Sequence, residues 1–171
     1  MPPSAPSFAE LLAGCSRSAV HFEARDDYGT NERFEAWKAG HRNDWEDRSS
    51  WWLPFHSAIS DAVARGVVIR RVRVVSEPVS DYIRWEHCTT RANVEAGEQV
   101  RWLPRRQASD LLIPMNDYWA FDSRVLRVHH FSGSGSIVED EITDFPELVK
   151  LYSDAFETIW ERAIPHDQYH I

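Results

Sequence analysis

The chain has 171 residues, of which 43% are hydrophobic and 12% aromatic, so it can bury one sizeable core and is not disordered over most of its length. Its two cysteines exclude a disulfide framework, its apolar runs are too short for a membrane span, and its start lacks signal-peptide regions, so we expect a cytoplasmic protein. The formal net charge of −8 argues against a general nucleic-acid binder.

The N-terminal part predicts a tail, two short helices and one strand. Residues 1–6 include three prolines and predict a disordered tail. Ser7 is followed three residues later by a glutamate, the spacing of a capping box, which predicts a helix over Phe8–Gly14. Alternating apolar side chains in Ala19–Arg25 predict a half-buried strand, and Asn31–Gly40 predicts a second helix.

The loop His41–Phe55 is rich in tryptophan. Its indoles, Trp45, Trp51 and Trp52, either pack over the edge of the core or form a surface for a ligand or a partner, because tryptophan is enriched in both settings. Formation of a homodimer through this surface is a further hypothesis.

The centre of the chain predicts a strand, a crossover helix and a second strand. A helix ending at Gly66 leads into residues 67–75, VVIRRVRVV, which are mostly apolar on both faces and therefore predict a central strand covered by helices. The crossover helix runs from Tyr82 to Ala96, and the second strand covers residues 100–104. Arginines inside such a strand need charged partners, either acids of the same domain or a bound anion.

The C-terminal part predicts a β-hairpin, a strand and a long helix. The hairpin covers Asp117–Phe131 and turns at residues 121–124, and IVEDEITD forms the next strand. Asp144 and Glu147 have capping-box spacing at the start of a helix that continues to Pro165. The residues after this proline predict a mobile tail.

These elements predict one α/β domain over residues 7–165 and a C-terminal tail at 166–171. We expect a mixed central sheet of about five to six strands with helices packed on both faces. Charge is unevenly spread, because residues 65–106 hold nine arginines against five acids, whereas residues 137–171 hold nine acids against two bases. One basic and one acidic surface are therefore expected.

Arginines alternate with tryptophans in the basic central region. A planar guanidinium beside an indole favours flat, anionic or phosphorylated ligands. The alternative is an internal network of ion pairs and stacked rings that serves the fold alone. The candidate ligand-binding residues are Arg71, Arg73, Arg84, Trp85, Arg101 and Trp102.

Histidine and glycine motifs give little evidence of chemistry. His129 and His130 are the candidates for acid–base catalysis, but neighbours in a strand point to opposite faces and cannot readily bind one ion together. The remaining histidines lack metal-ligand spacing, and the SGSGS loop lacks the pattern of a phosphate-binding loop. We expect no metal and no cofactor.

Four segments carry a resemblance to a known family: RVRVVSEPVSDYIRWEH, NVEAGEQVRWLPR, DYWAFDSRVLRVHHF and AFETIWERAIP. Together they resemble an uncharacterised family of small actinobacterial proteins that is described as a domain of unknown function. Members are often encoded near helix-turn-helix regulators of the Cro/C1 type. The resemblance implies a transcriptional regulator as partner.

The order of helices and strands is also similar, more distantly, to one half of a phospholipase D-like domain. Such enzymes use an H-x-K-x4-D motif in which the histidine attacks phosphorus. No histidine of this chain is followed two residues later by lysine. The resemblance therefore implies a phospholipase D-like half domain that has lost phosphodiesterase activity.

Two functional hypotheses follow. The first is a non-catalytic regulatory or sensing domain that binds a regulator protein or an anionic small ligand through the Arg/Trp face, without direct contact with nucleic acid or membrane. The second is a small enzyme for a phosphorylated or carboxylated metabolite. In that enzyme Arg71, Arg73 and Arg101 clamp the anion, and His129 or His130 is the acid–base.

Overall fold

The computed structural model describes residues 5–171, which place five α-helices around one seven-stranded sheet. The helices are α1 (Phe8–Ala13), α2 (Glu32–Lys38), α3 (Pro54–Ala64), α4 (Asp81–Glu95) and α5 (Pro146–Arg162). The strands are β1 (Ser18–Glu23), β2 (Val68–Val75), β3 (Gln99–Pro104), β4 (Tyr118–Phe121), β5 (Val125–Phe131), β6 (Ile137–Thr143) and β7 (Ile164–Pro165). No described helix is both long and apolar enough to cross a membrane.

The sheet is mixed, with the strand order β6-β5-β4-β1-β2-β3-β7. β1, β2 and β3 are parallel neighbours, whereas all other pairs are antiparallel. Parallel neighbours need crossover connections, which α3 provides before β2 and α4 provides before β3. The sheet ends at β6 on one edge, where Glu139, Asp140 and Glu141 are consecutive, and at the two-residue β7 on the other.

Both faces of the sheet are covered by helices, as predicted, because side chains of a strand alternate between the two faces. On one face Phe22 and Val74 pack with Phe156 of α5. On the other face α1 and α3 cover Ala19, Ile69 and Phe121, while α4 covers Val75, Val100 and Trp102. We refer to this second face as the α4 face.

Most predicted elements are confirmed, but the sheet has more strands than expected. Each predicted helix and strand is present within a few residues of its predicted bounds. The extra strand, β7, is too short to show a periodicity in the sequence. The predicted Asp144 cap of α5 is wrong, because Phe145 is the N-cap residue and makes no side-chain capping hydrogen bond.

The segment 166–171 is not the mobile tail that was predicted. A short 3₁₀ helix at His166–Gln168 returns the chain to the sheet, and Tyr169 is only 4% exposed. The Tyr169 ring stacks on Trp102 with centroids 5.5 Å apart, and its hydroxyl donates to Glu77 at 3.0 Å. Of the predicted N-terminal tail, residues 1–4 lie outside the described part, and residues 5 and 6 are exposed coil.

The turn between β4 and β5 is held by Asp122, which has φ +53°, and is followed by Ser123 with φ +50°. The Asp122 carboxylate accepts hydrogen bonds from the backbone N–H groups of Ser16, Arg17 and Ser18 at 2.9, 2.7 and 2.9 Å. The hairpin turn therefore fixes the connection between α1 and β1.

Candidate functional site

Two rows of mainly polar side chains cross the α4 face, and each row takes one residue from each of several neighbouring strands or, in the case of Asp117, from the position just before β4. We call them the polar rows. The first row contains, in order across the sheet, Asp140, His129, Asp117, Glu23 and Arg73. The second row contains Arg127, Trp119, His21 and Arg71.

Arg71 and Arg73 form a buried ion network with the chain's own acids. Glu23 accepts from Nη1 of Arg71 at 2.5 Å and from Nε of Arg73 at 2.6 Å, so both of its oxygens are used. Arg71 also donates to Glu98 at 2.9 Å, and Arg73 donates to the Thr90 hydroxyl at 2.6 Å. Burial alone would raise the pKa of Glu23, but the two guanidinium groups hold it well below its usual range.

The predicted Arg/Trp ligand face does not form one surface. Arg101 and Trp102 point to opposite faces of β3, because they are neighbours in a strand. Arg101 donates to the backbone oxygen of Trp160 at 2.8 Å, and Trp102 is fully buried. Arg84 is exposed on α4 near Asp81. Together with the neutralised Arg71 and Arg73, this arrangement leaves no anion clamp of the kind that was predicted.

The tryptophan-rich loop packs mostly inward. Trp51 is only 2% exposed, and its ring lies between Trp45 and Trp52 at centroid distances of 5.1 and 5.8 Å. Trp51 is therefore part of the core and does not contribute to the predicted partner surface. Trp45 and Trp85 line a separate recess of about 430 Å³ between α2, the loop and α4.

A cleft of about 440 Å³ opens over the first polar row. Three aromatic rings, three carboxyl groups and two imidazoles line it, and no arginine or lysine of the described chain does. We call it the acid–aromatic cleft. Its rings are Tyr28, Tyr82 and Phe131, its carboxyl groups are Glu23, Glu86 and Asp117, its imidazoles are His21 and His129, and residues 135–137 complete the lining.

Two of the carboxyl groups in this cleft hold protons unusually tightly. Burial raises the pKa of Glu86 to about 7, although Arg73 opposes the shift. Oε2 of Glu86 lies 3.5 Å from Nε of Arg73 and has no hydrogen-bond partner within the described residues. Burial also raises the pKa of Asp117 to about 6, against hydrogen bonds from the Tyr28 hydroxyl and the Ala24 N–H.

The histidines near the cleft differ in their surroundings. His21 stacks on Trp119 with centroids 4.2 Å apart, and burial and Arg71 keep its pKa well below the usual value. Nδ1 of His21 makes no hydrogen bond in the part of the chain that is described, although Oε1 of Glu23 lies 3.3 Å away. His129 pairs through Nδ1 with Asp140 at 2.6 Å.

His130 points away from the cleft. Its Nε2 lies 2.9 Å from Glu141, and the cleft lining does not include it. Of the two predicted acid–base candidates, only His129 therefore reaches the cleft. Across residues 5–171 no group of three or more His, Cys, Asp or Glu side chains is arranged to hold a metal ion.

Sequence reasoning missed most of the cleft residues. The alternation of His21 and Glu23 in β1 was a usable signal, because it puts both on the face opposite Phe22. Glu86 gave no such signal, since an acid on a helix is normally exposed. Asp117 follows a loop and was assigned only to the start of the hairpin.

A larger groove of about 800 Å³ lies between α1, the β4–β5 turn and α5. Its most buried carboxylate, Asp122, is already saturated by backbone N–H groups. Within the described residues the groove has one buried polar atom without a hydrogen bond, Oγ of Ser153, whereas the acid–aromatic cleft has two, both on titratable side chains, so we place the candidate site in the cleft despite its smaller volume.

The fold is similar to that of two solved proteins. One is TrmBL2, described as an archaeal chromatin protein with a novel mode of DNA binding, at 12% identity and a TM-score of 0.52 over 91% of this chain. This chain spans 48% of the TrmBL2 chain. The other is Nuc from Salmonella typhimurium, described as a phospholipase D family member, at 12% identity and a TM-score of 0.51 over 92% of this chain and 86% of that chain.

At such identities the similarity concerns the fold alone, and it agrees with the expected phospholipase D-like resemblance. No curated protein matches the sequence. A family model described as "Domain of unknown function (DUF6879)" matches residues 6–171.

Proposed function

This chain belongs to the DUF6879 family, and we propose that it is a non-catalytic sensing domain whose small ligand binds in the acid–aromatic cleft. The observation that carries this proposal is that two buried polar atoms of the cleft make no hydrogen bond within the described residues: Oε2 of Glu86, 3.5 Å from Nε of Arg73, and Nδ1 of His21, 3.3 Å from Oε1 of Glu23. An unpaired buried polar group costs roughly 1–3 kcal/mol, so a ligand that pairs with it recovers free energy on binding. The anionic ligand of the first hypothesis is not favoured, because no cation lines the cleft among the described residues.

The sequence supports the absence of phosphodiesterase activity. In an H-x-K-x4-D motif the histidine and the lysine precede the aspartate by seven and five residues. No histidine of this chain has a lysine two residues later, so no aspartate of the sequence completes the motif.

The proposed partner is a helix-turn-helix regulator of the cytoplasm, as the actinobacterial resemblance implies. An acidic partner surface supports this proposal, because residues 137–171 hold nine acids against two bases. Val138, Phe145 and Leu151 are exposed apolar side chains within that segment, at 66, 58 and 63%. Apolar side chains with acidic neighbours suit a partner that presents basic residues.

A thermal-shift panel of amines, neutral polyols, nucleosides and carboxylates tests the sensing proposal. A ligand present at about 100 times its Kd should add about 2.7 kcal/mol to the stability of the wild-type chain. Glu86→Gln should reduce that gain. The matched control is Glu95→Gln, which changes an exposed carboxylate of the same helix that pairs with Arg91. No stabilisation by any class, or equal stabilisation of both variants, would contradict the proposal.

One observation favours a second candidate, a small enzyme with His129 as acid–base. The 2.6 Å contact with Asp140 fixes the orientation of the His129 ring beside the cleft. Such an enzyme would need an anion site other than Arg71, Arg73 and Arg101. If a compound that binds is also converted, His129→Gln should abolish turnover while leaving binding within about threefold; binding without turnover excludes this candidate.

A further inference from the structure

We propose that the acid–aromatic cleft selects a small organic cation, an amine carried on an apolar body. This inference rests on the proposed sensing function and names its ligand class. It starts from the composition of the cleft wall, where carboxyl groups and aromatic rings occur without any arginine or lysine of the described chain.

The carboxyl groups on the wall are not equally free to bind. Glu23 is fully used by Arg71 and Arg73. Among the described residues nothing donates a hydrogen bond to Oε2 of Glu86, although Nε of Arg73 lies 3.5 Å away, and Asp117 receives its hydrogen bonds from Tyr28 and Ala24. Glu86 is therefore the group that would receive the ammonium, with Asp117 as the second carboxylate.

The aromatic rings form a continuous wall beside these carboxyl groups. Tyr28 lies at the centre, with its ring centroid 5.7 Å from that of Tyr82 and 5.6 Å from that of Phe131. Ring faces attract cations and also take apolar groups. The Arg25 guanidinium lies 4.7 Å from the Phe131 centroid, so that ring already has a cation–π contact within the chain.

The raised pKa values of Glu86 and Asp117 fit a cationic ligand. With pKa values raised to about 7 and about 6, Glu86 and Asp117 are partly protonated near neutral pH, and an entering ammonium favours their ionised forms. Binding should therefore release protons and weaken as the pH falls below 6. The charged and titratable groups that face Glu86 are Arg71, Arg73, Glu23, Asp117, Tyr28 and Tyr82.

Three compounds of one shape but different charge provide the test: phenethylamine, 2-phenylethanol and phenylacetate, titrated into the full chain by calorimetry at pH 7.5. We expect the amine to bind at least about tenfold more tightly than the alcohol, and phenylacetate most weakly, because about 1.4 kcal/mol of charge attraction corresponds to tenfold. Glu86→Gln should weaken amine binding about tenfold and leave the alcohol within about threefold.

Asp117→Asn gives a second test on a different element, and Glu95→Gln is the control for the same helix. Alcohol or phenylacetate binding as tight as that of the amine, weakened by these cleft variants, would overturn the cation inference and leave the sensing function standing. Binding of none of the three also overturns it. In that case the wider panel decides whether the sensing function falls as well.

Discussion

The carboxylate of Glu23 in β1 accepts a hydrogen bond from Nε of Arg73 in β2 at 2.6 Å, and both side chains are buried. The two residues are parallel-strand neighbours in register, so the contact ties the centre of the sheet together. A buried ion pair adds little stability compared with apolar side chains packed in its place. Removing only one partner, however, leaves the other charge buried without its counter-ion, which destabilises the folded state.

The first prediction concerns this pair. Arg73→Met should lower the free energy of unfolding by about 3–5 kcal/mol, because it leaves Glu23 with one guanidinium and removes the donor to the Thr90 hydroxyl. Urea denaturation measures the loss. Glu23→Gln combined with Arg73→Met should cost clearly less than the sum of the two single changes. The control, Arg84→Met on the exposed side of α4, should stay within about 0.5 kcal/mol; strictly additive losses would argue against a coupled pair.

The second prediction is a pH dependence set by Glu86. Its pKa in the folded chain is raised to about 7 from 4.5, so the folded state binds the proton more tightly than the unfolded state. The stability that this proton adds is complete below about pH 4.5 and is lost as the pH rises through 7. Glu86→Gln cannot ionise, so its stability relative to wild type should rise by about 2 kcal/mol between pH 5 and pH 8. Denaturation at both pH values measures this, and a difference that does not change with pH would refute it.

The third prediction concerns the β4–β5 turn. Asp122→Ala should cost about 3 kcal/mol, because three backbone N–H groups lose their acceptor and alanine is strained at φ +53°. Ser123→Gly is the matched control at the next position, where glycine relieves a φ of +50° and should change stability by less than about 1 kcal/mol. Equal effects of the two changes would show that the carboxylate contributes nothing specific.

The fourth prediction concerns the C-terminal segment. Tyr169→Ala should lower the free energy of unfolding by about 3 kcal/mol and shift the intrinsic tryptophan fluorescence of the chain to the red, because the Trp102 indole loses its stacked neighbour and meets water. His170→Ala, at an exposed neighbouring position, should change neither quantity. Were Tyr169→Ala as stable as wild type, the segment would not be part of the core.

The order of helices and strands could be predicted because it follows from local patterns. A few residues of sequence are enough to show the alternation of apolar and polar side chains in β1, the apolar side chains on both faces of β2 and the glycine after α3. The partners of the central arginines could not be predicted in this way. Glu23 lies some fifty residues before Arg73, and nothing in either segment indicates that the two strands are neighbours.

Local sequence patterns also failed to predict which aromatic side chains are buried. Trp51 lies in a polar loop and Tyr169 follows a proline near the end of the sequence, yet both are buried. Tertiary packing decided each case: other indoles enclose Trp51, and Trp102 receives Tyr169. The ligand site predicted from the sequence is wrong for the same reason, because Arg71 and Arg73 pair with Glu23, which is distant in the sequence.

The two edges of the sheet have a consequence for how copies of the chain meet in solution. β7 offers only two residues for pairing, and the three consecutive acids in β6 would face the same acids of another copy that docked there antiparallel. A short edge and a charged edge are both poor templates for further strands. We therefore expect neither edge to favour pairing with a strand of another copy.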